Sequence, residues 1–140
     1  MFSPFKIELK IRQTTTEKEF YYKIDHIRSF VEKNKGVDIT INENSVSFRS
    51  RLFGWTTDPF SQLDKGIFIL SKDELVFKFY FIRTYLLFGL FFCFVAYQSQ
   101  NIFASTLIYI TTMVFNWFFS KQKFEKLLLK LSAELVNQKN

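Results

Sequence analysis

The sequence predicts an α+β fold: a small antiparallel sheet with one packed helix, in the order β-α-β-β-β-β. A two-helix transmembrane hairpin and a C-terminal amphipathic helix are expected to follow. Three observations carry this expectation. Apolar and charged residues alternate strictly over 5–12, the apolar spacing turns helical over 20–31, and no Asp, Glu, Lys, Arg or His occurs from Thr84 to Ser120. The boundaries read as a cytoplasmic domain over 1–80, a hairpin over 81–120 with spans at about 81–98 and 102–120, and a cytoplasmic tail over 121–140.

The first strand is Phe5-Lys-Ile-Glu-Leu-Lys-Ile-Arg12, with Phe5, Ile7, Leu9 and Ile11 on a core face and Lys6, Glu8, Lys10 and Arg12 on the other. Thr16 and Glu19 have capping-box spacing at the start of a helix. Phe20, Ile24, Ile27 and Val31 then recur at steps of four, three and four, the stripe of an amphipathic helix, and Gly36 is its expected stop. Val37–Ile41 alternates again. Asn42–Ser45 reads as a hairpin turn into a strand over 46–51, and a longer loop follows over 52–65. Two further strands, 66–70 and 74–79, flank the turn Ser71-Lys-Asp73. Strands followed by turns of this kind give a sheet with its helix on one face.

A helix that crosses a bilayer needs roughly 20 apolar residues, and Ile102–Ser120 meets that length. Trp117 is expected near one interface. The stretch Thr84–Gln98 is short, so the first span is expected to begin near Phe79, with Arg83 snorkelling towards the headgroups. Between the spans lies the uncharged turn Gln98–Asn101. Nine lysines and arginines flank the hairpin on its outer sides and none lies in the turn, which by the positive-inside rule places both termini in the cytoplasm. The residues after Ser120 carry Phe124, Leu127, Leu128, Leu131 and Leu135 on one helical face. This tail is expected to extend the second span or to pack on the domain, ahead of lying on the membrane surface.

Composition narrows the functions. Mean hydropathy is only +0.02 because it averages two unlike halves. The net charge of +6 is shared between residues 1–83, with 14 basic and 11 acidic side chains, and residues 121–140, with 5 and 2. Neither segment has the concentrated basicity of a nucleic-acid binder. Cys93 is the single cysteine, so no intrachain disulfide or zinc spacing exists, and the N-terminus lacks the apolar core of a signal peptide. No P-loop, dinucleotide, zinc-protease or serine-hydrolase pattern occurs. His26, the one histidine, has no nucleophile or carboxylate motif to work with and reads as a solvated surface residue.

The expected function is therefore that of a non-enzymatic, membrane-anchored interaction module or accessory subunit of a membrane complex, in a bacterial inner membrane. It needs no cofactor, and its partners are the lipid bilayer and another protein or a second copy of itself. The alternative is an oligomerising effector that permeabilises the bilayer, which a membrane-potential dye would reveal. Candidate interaction residues are Trp55 on the long loop and Lys6, Lys10, Arg12, Arg49 and Arg51 on two strands. If those strands share a face, it would meet anionic lipid or an acidic partner; a solvated face with interspersed acids is the simpler reading. Asn116 is the candidate interhelical polar contact.

Overall fold

Alternation in the strands is what builds the sheet. In the computed structural model, which describes residues 6–50, 60, 63–99 and 101–137, the chain runs β1 (Lys6–Arg12), α1 (Glu17–Lys33), β2 (Val37–Asn42), β3 (Ser45–Arg49), β4 (Lys65–Leu70), β5 (Glu74–Tyr80), α2 (Ile82–Ser99) and α3 (Ile102–Asn137). The five strands form one antiparallel sheet in the order β1-β5-β4-β3-β2. The two helices of the domain, α1 and the second half of α3, pack on the same face.

Register places the apolar residues in rows across that face. Ile7, Phe79, Gly66 and Phe48 make one row, and Leu9, Phe77, Phe68, Val46 and Ile41 make the next. Phe77 lies at its centre, with its ring 4.2 Å from Phe68 and 5.0 Å from Phe79. Phe60 adds a further ring 4.5 Å from Phe48. Aromatic pairs of this kind contribute about 0.5–1.5 kcal/mol each beyond their buried area. The Phe content is thus shared between a domain core and the hairpin.

Helix α1 buries Ile24, Ile27, Phe30 and Val31 against the sheet. Its N-cap is Thr16, but the expected capping box does not form, because the Thr16 side chain makes no cap hydrogen bond. The Glu19 carboxylate lies instead 3.4 Å from the Lys23 ammonium. Lys23 is buried and turns back to donate to the Thr14 carbonyl at 3.0 Å and the Thr15 hydroxyl at 3.2 Å. A buried ammonium needs partners more than an exposed helix end does.

The helix ends in a Schellman motif. Gly36 N–H donates to the Val31 carbonyl and Lys35 N–H to that of Glu32, both at 2.9 Å. The left-handed residue is Lys35, with φ of 61°, rather than Gly36. Gly36 is required for another reason: a Cβ there would fall on the Val31 side chain and lie 3.1 Å from the Phe48 ring.

Strand β5 passes into α2 through Phe81 alone. The expected start of the first span near Phe79 is corrected, since Phe79 is a fully buried strand residue paired with Ile7 and Gly66. Helices α2 and α3 run antiparallel: Phe92 meets Tyr109, with rings 5.5 Å apart, and Tyr85 meets Asn116. The C-terminal tail continues the second apolar helix, one of the placements expected of it. Helix α3 runs unbroken for 36 residues, about 54 Å at 1.5 Å per residue. Its second half lays Phe124, Leu128, Leu131 and Leu135 into the domain core, so the tail both continues the apolar segment and packs on the sheet.

Among the described residues α3 is the one helix long and apolar enough to cross a membrane, and only 6% of its apolar window is buried in the fold. Helix α2 is apolar but shorter. Leu86, Leu90, Phe91 and Phe94 on α2 and Phe103, Leu107, Val114 and Phe115 on α3 are exposed.

Candidate functional site

Helices cover one face of the sheet, and register assembles the other. Strict alternation puts Lys6, Glu8, Lys10 and Arg12 of β1 on this open face. Lys6 pairs with Tyr80, Tyr80 with Lys65, and Lys65 with Arg49, forming a single row across β1, β5, β4 and β3. Adjacent strands are about 4.8 Å apart, so the row spans about 14 Å. The next row places Glu8 beside Lys78.

Acids on the face are concentrated on the β1 side. Glu8 lies 3.8 Å from Lys6, 3.6 Å from Lys10 and 3.6 Å from Lys78, while Glu74 is 3.9 Å from Lys10 and opposite Arg12. Among the described residues, β1, β3, β4 and β5 place six basic side chains on this face against these two carboxylates, and Asp38 of β2 lies near Arg49. Lys65 and Arg49, on the β4–β3 side, are exposed and form no ion pair among the described residues. Of the sequence candidates, Lys6, Lys10, Arg12 and Arg49 therefore share one face. Arg51 and Trp55 lie outside the described residues. Lys65, Lys78 and Tyr80 join the face through the β4–β5 pairing, a long-range relationship that composition does not reveal.

The row ends at the junction with α2. The Asp64 carboxylate accepts from the Arg83 backbone N–H at 2.7 Å and lies 3.4 Å from the Arg83 guanidinium, which also donates to the Ser50 hydroxyl at 3.2 Å. Ser50 in turn donates to the Leu63 carbonyl. Arg83 was expected to reach for headgroups; Asp64 holds it against the domain. A carboxylate at the first turn of α2 satisfies a free N–H and complements the helix dipole. A shallow cleft opens beside this network, lined by Val37, Asp38, Arg49, Ser50, Asp64, Ile82, Arg83 and Leu86.

A second open surface lies between α1 and the edge strand β2. Phe20, Tyr21, Ile24, Arg28, Ile41 and Asn42 line a groove there. Tyr21 and its neighbour Tyr22 are 85% and 78% exposed. Glu32 accepts from Arg28 at 2.8 Å, which raises the pKa of a guanidinium that is already cationic at any working pH.

Asn116 stands at the Tyr85 hydroxyl, and Tyr109 donates its own hydroxyl to the Tyr85 carbonyl at 3.2 Å, so polar groups of α3 meet α2 at two depths. His26 departs from its expected solvated position. It is half-buried, with Nε2 3.5 Å from Glu134 of α3, because the tail packs beside α1. Among the described residues no three His, Cys, Asp or Glu side chains converge to hold a metal ion. Comparison with protein-family models, curated proteins and solved structures finds no match for this chain.

Proposed function

We propose that this protein is a non-enzymatic, membrane-anchored interaction module. Its α2–α3 hairpin crosses the bilayer twice, and its sheet domain and both termini stay on the cytoplasmic side. The observation that carries the reading is the contrast along α3. Residues 102–119 are apolar and project from the domain beside α2, whereas Phe124, Leu128, Leu131 and Leu135 of the same helix are buried in the core. Exposed leucine and phenylalanine on every side of a helix pair belong in hydrocarbon, since in water each costs its full transfer free energy.

The length fits with little slack. Eighteen residues of α2 rise about 27 Å against a hydrocarbon core of about 30 Å, a mismatch that local thinning absorbs. The junction residue Phe81 and the unbroken α3 leave the domain little freedom to swing away from the membrane. The uncharged loop at Asn101 faces the far side, in keeping with the lysines and arginines that flank the hairpin elsewhere. Exposed Tyr21 on the α1–β2 groove, with exposed Tyr22 next to it in sequence, is the residue type that anchors protein interfaces.

Affinity purification of the intact chain from detergent-solubilised membranes tests the reading. The expected result is a stoichiometric protein partner or a defined homo-oligomer that the double variant Tyr21→Ser, Tyr22→Ser releases. A strictly monomeric protein with no partner in its own membrane would overturn it.

A further inference from the structure

We infer that the row Arg49–Lys65–Tyr80–Lys6 on the open face of the sheet is a binding surface for anionic phospholipid headgroups. The inference rests on the membrane reading above and names the lipid class that the domain meets.

Position is the first support. Tyr80 is the last residue of β5, and α2 begins two residues later at Ile82. The four side chains therefore lie at the level where the apolar hairpin leaves the domain. With the hairpin in a bilayer, that level is the headgroup layer, where a phenol with an apolar ring and a polar tip is at home. Lysine and arginine stems on either side of Tyr80 lie along the sheet and direct their charges towards phosphates.

Charge is the second. Lys65 and Arg49 have no ion-pair partner among the described residues, and Lys6 shares the single carboxylate of Glu8 with Lys10 and Lys78. No described helix packs over this face. The cleft beside Arg49 is bounded by Ile82 and Leu86, both exposed, so a phosphate at Arg49 would have an apolar wall beside it for the adjoining glycerol and acyl carbons. A basic row beside an aliphatic wall matches an amphipathic lipid better than a wholly polar acidic peptide. Arg83 pairs with Asp64, and Asp38 also lines the cleft, so the positive charge of this surface comes from the row itself, where Lys65 and Lys6 stand with Arg49.

The test uses the intact chain in phosphatidylcholine bilayers that contain a trace of spin-labelled phosphatidylglycerol or spin-labelled phosphatidylcholine. The fraction of label immobilised by the protein gives the relative association of the two lipids. A basic side chain near an anionic surface contributes about 1 kcal/mol, so a preference of about fivefold or more for phosphatidylglycerol is expected at low salt. The triple variant Lys6→Gln, Arg49→Gln, Lys65→Gln should reduce it to below about twofold, and Arg49→Gln alone should give an intermediate value. The double variant Lys121→Gln, Lys126→Gln should leave it unchanged. An equal preference in wild type and triple variant, loss through the α3 lysines instead, or no preference in the wild type would each overturn the inference. Failure of the chain to float with the vesicles is a different result, and it would overturn the membrane reading itself.

Discussion

Gly66 stands directly opposite Phe48 across β3 and β4, and a methyl group at Gly66 would fall on the Phe48 ring. The ring cannot retreat. Phe60 is 4.5 Å from it on one side, with Phe68 and Phe77 stacked at 6.0 and 6.4 Å. A strand glycine here makes room for a neighbour. Gly66→Ala should therefore lower the unfolding free energy by about 1–3 kcal/mol, the usual cost of overpacking. Gly89→Ala is the control, since its Cβ would meet the Tyr109 hydroxyl at 3.4 Å, an ordinary contact. Denaturant midpoints of the two variants in the same detergent should separate clearly, with Gly89→Ala close to wild type.

The second half of α3 belongs to the domain. The ring of Phe124 lies 4.5 Å from Phe79 and 5.7 Å from Phe77, and it is fully buried. Phe124→Ala should cost about 3–5 kcal/mol and Leu128→Ala about 2–5 kcal/mol. Leu129, one residue further round the helix, is 53% exposed, and Leu129→Ala should change stability by less than about 0.5 kcal/mol. Equal losses at 128 and 129 would contradict the docking of the tail.

At the junction, Asp64 serves two donors of one residue, the backbone N–H and the guanidinium of Arg83. Asp64→Ala removes both interactions and should cost about 1–2 kcal/mol, the range of a lost helix cap. Arg83→Ala keeps the backbone donor and should cost less. A double-mutant cycle should return a coupling of about 0.5–1 kcal/mol, and none if the guanidinium points to lipid phosphates instead.

The local patterns of this chain were legible in its sequence, and the long-range ones were not. Alternation from Lys6 to Arg12 and the spacing of Ile24, Ile27 and Val31 arise within one element, so strand and helix could be read residue by residue. The turns between β2 and β3 and between β4 and β5 were equally local. The pairing of β1 with β5 joins residues about 70 positions apart, and only that pairing brings Lys6 into the same row as Lys65 and Arg49.

Two corrections have the same origin. Phe79 suits an apolar helix as well as a buried strand, and its ladder partners Ile7 and Gly66 decide between them. His26 looked solvated because the α3 surface that supplies Glu134 could not be placed from sequence. The Thr16–Glu19 capping box failed for a nearer reason, the demand of buried Lys23 for a carboxylate.

Cys93 gives the most direct test of where the hairpin lies. It is exposed in the fold itself, so nothing within the described protein protects its thiol. Intact membranes should be treated with a membrane-impermeant maleimide, with and without denaturing detergent. Cys93 should remain unlabelled until detergent is added, and Asn101→Cys in a Cys93→Ser background should label readily from the far side. Prompt modification of Cys93 in detergent-free buffer would contradict a hairpin in the bilayer, because the helices would then be standing in water.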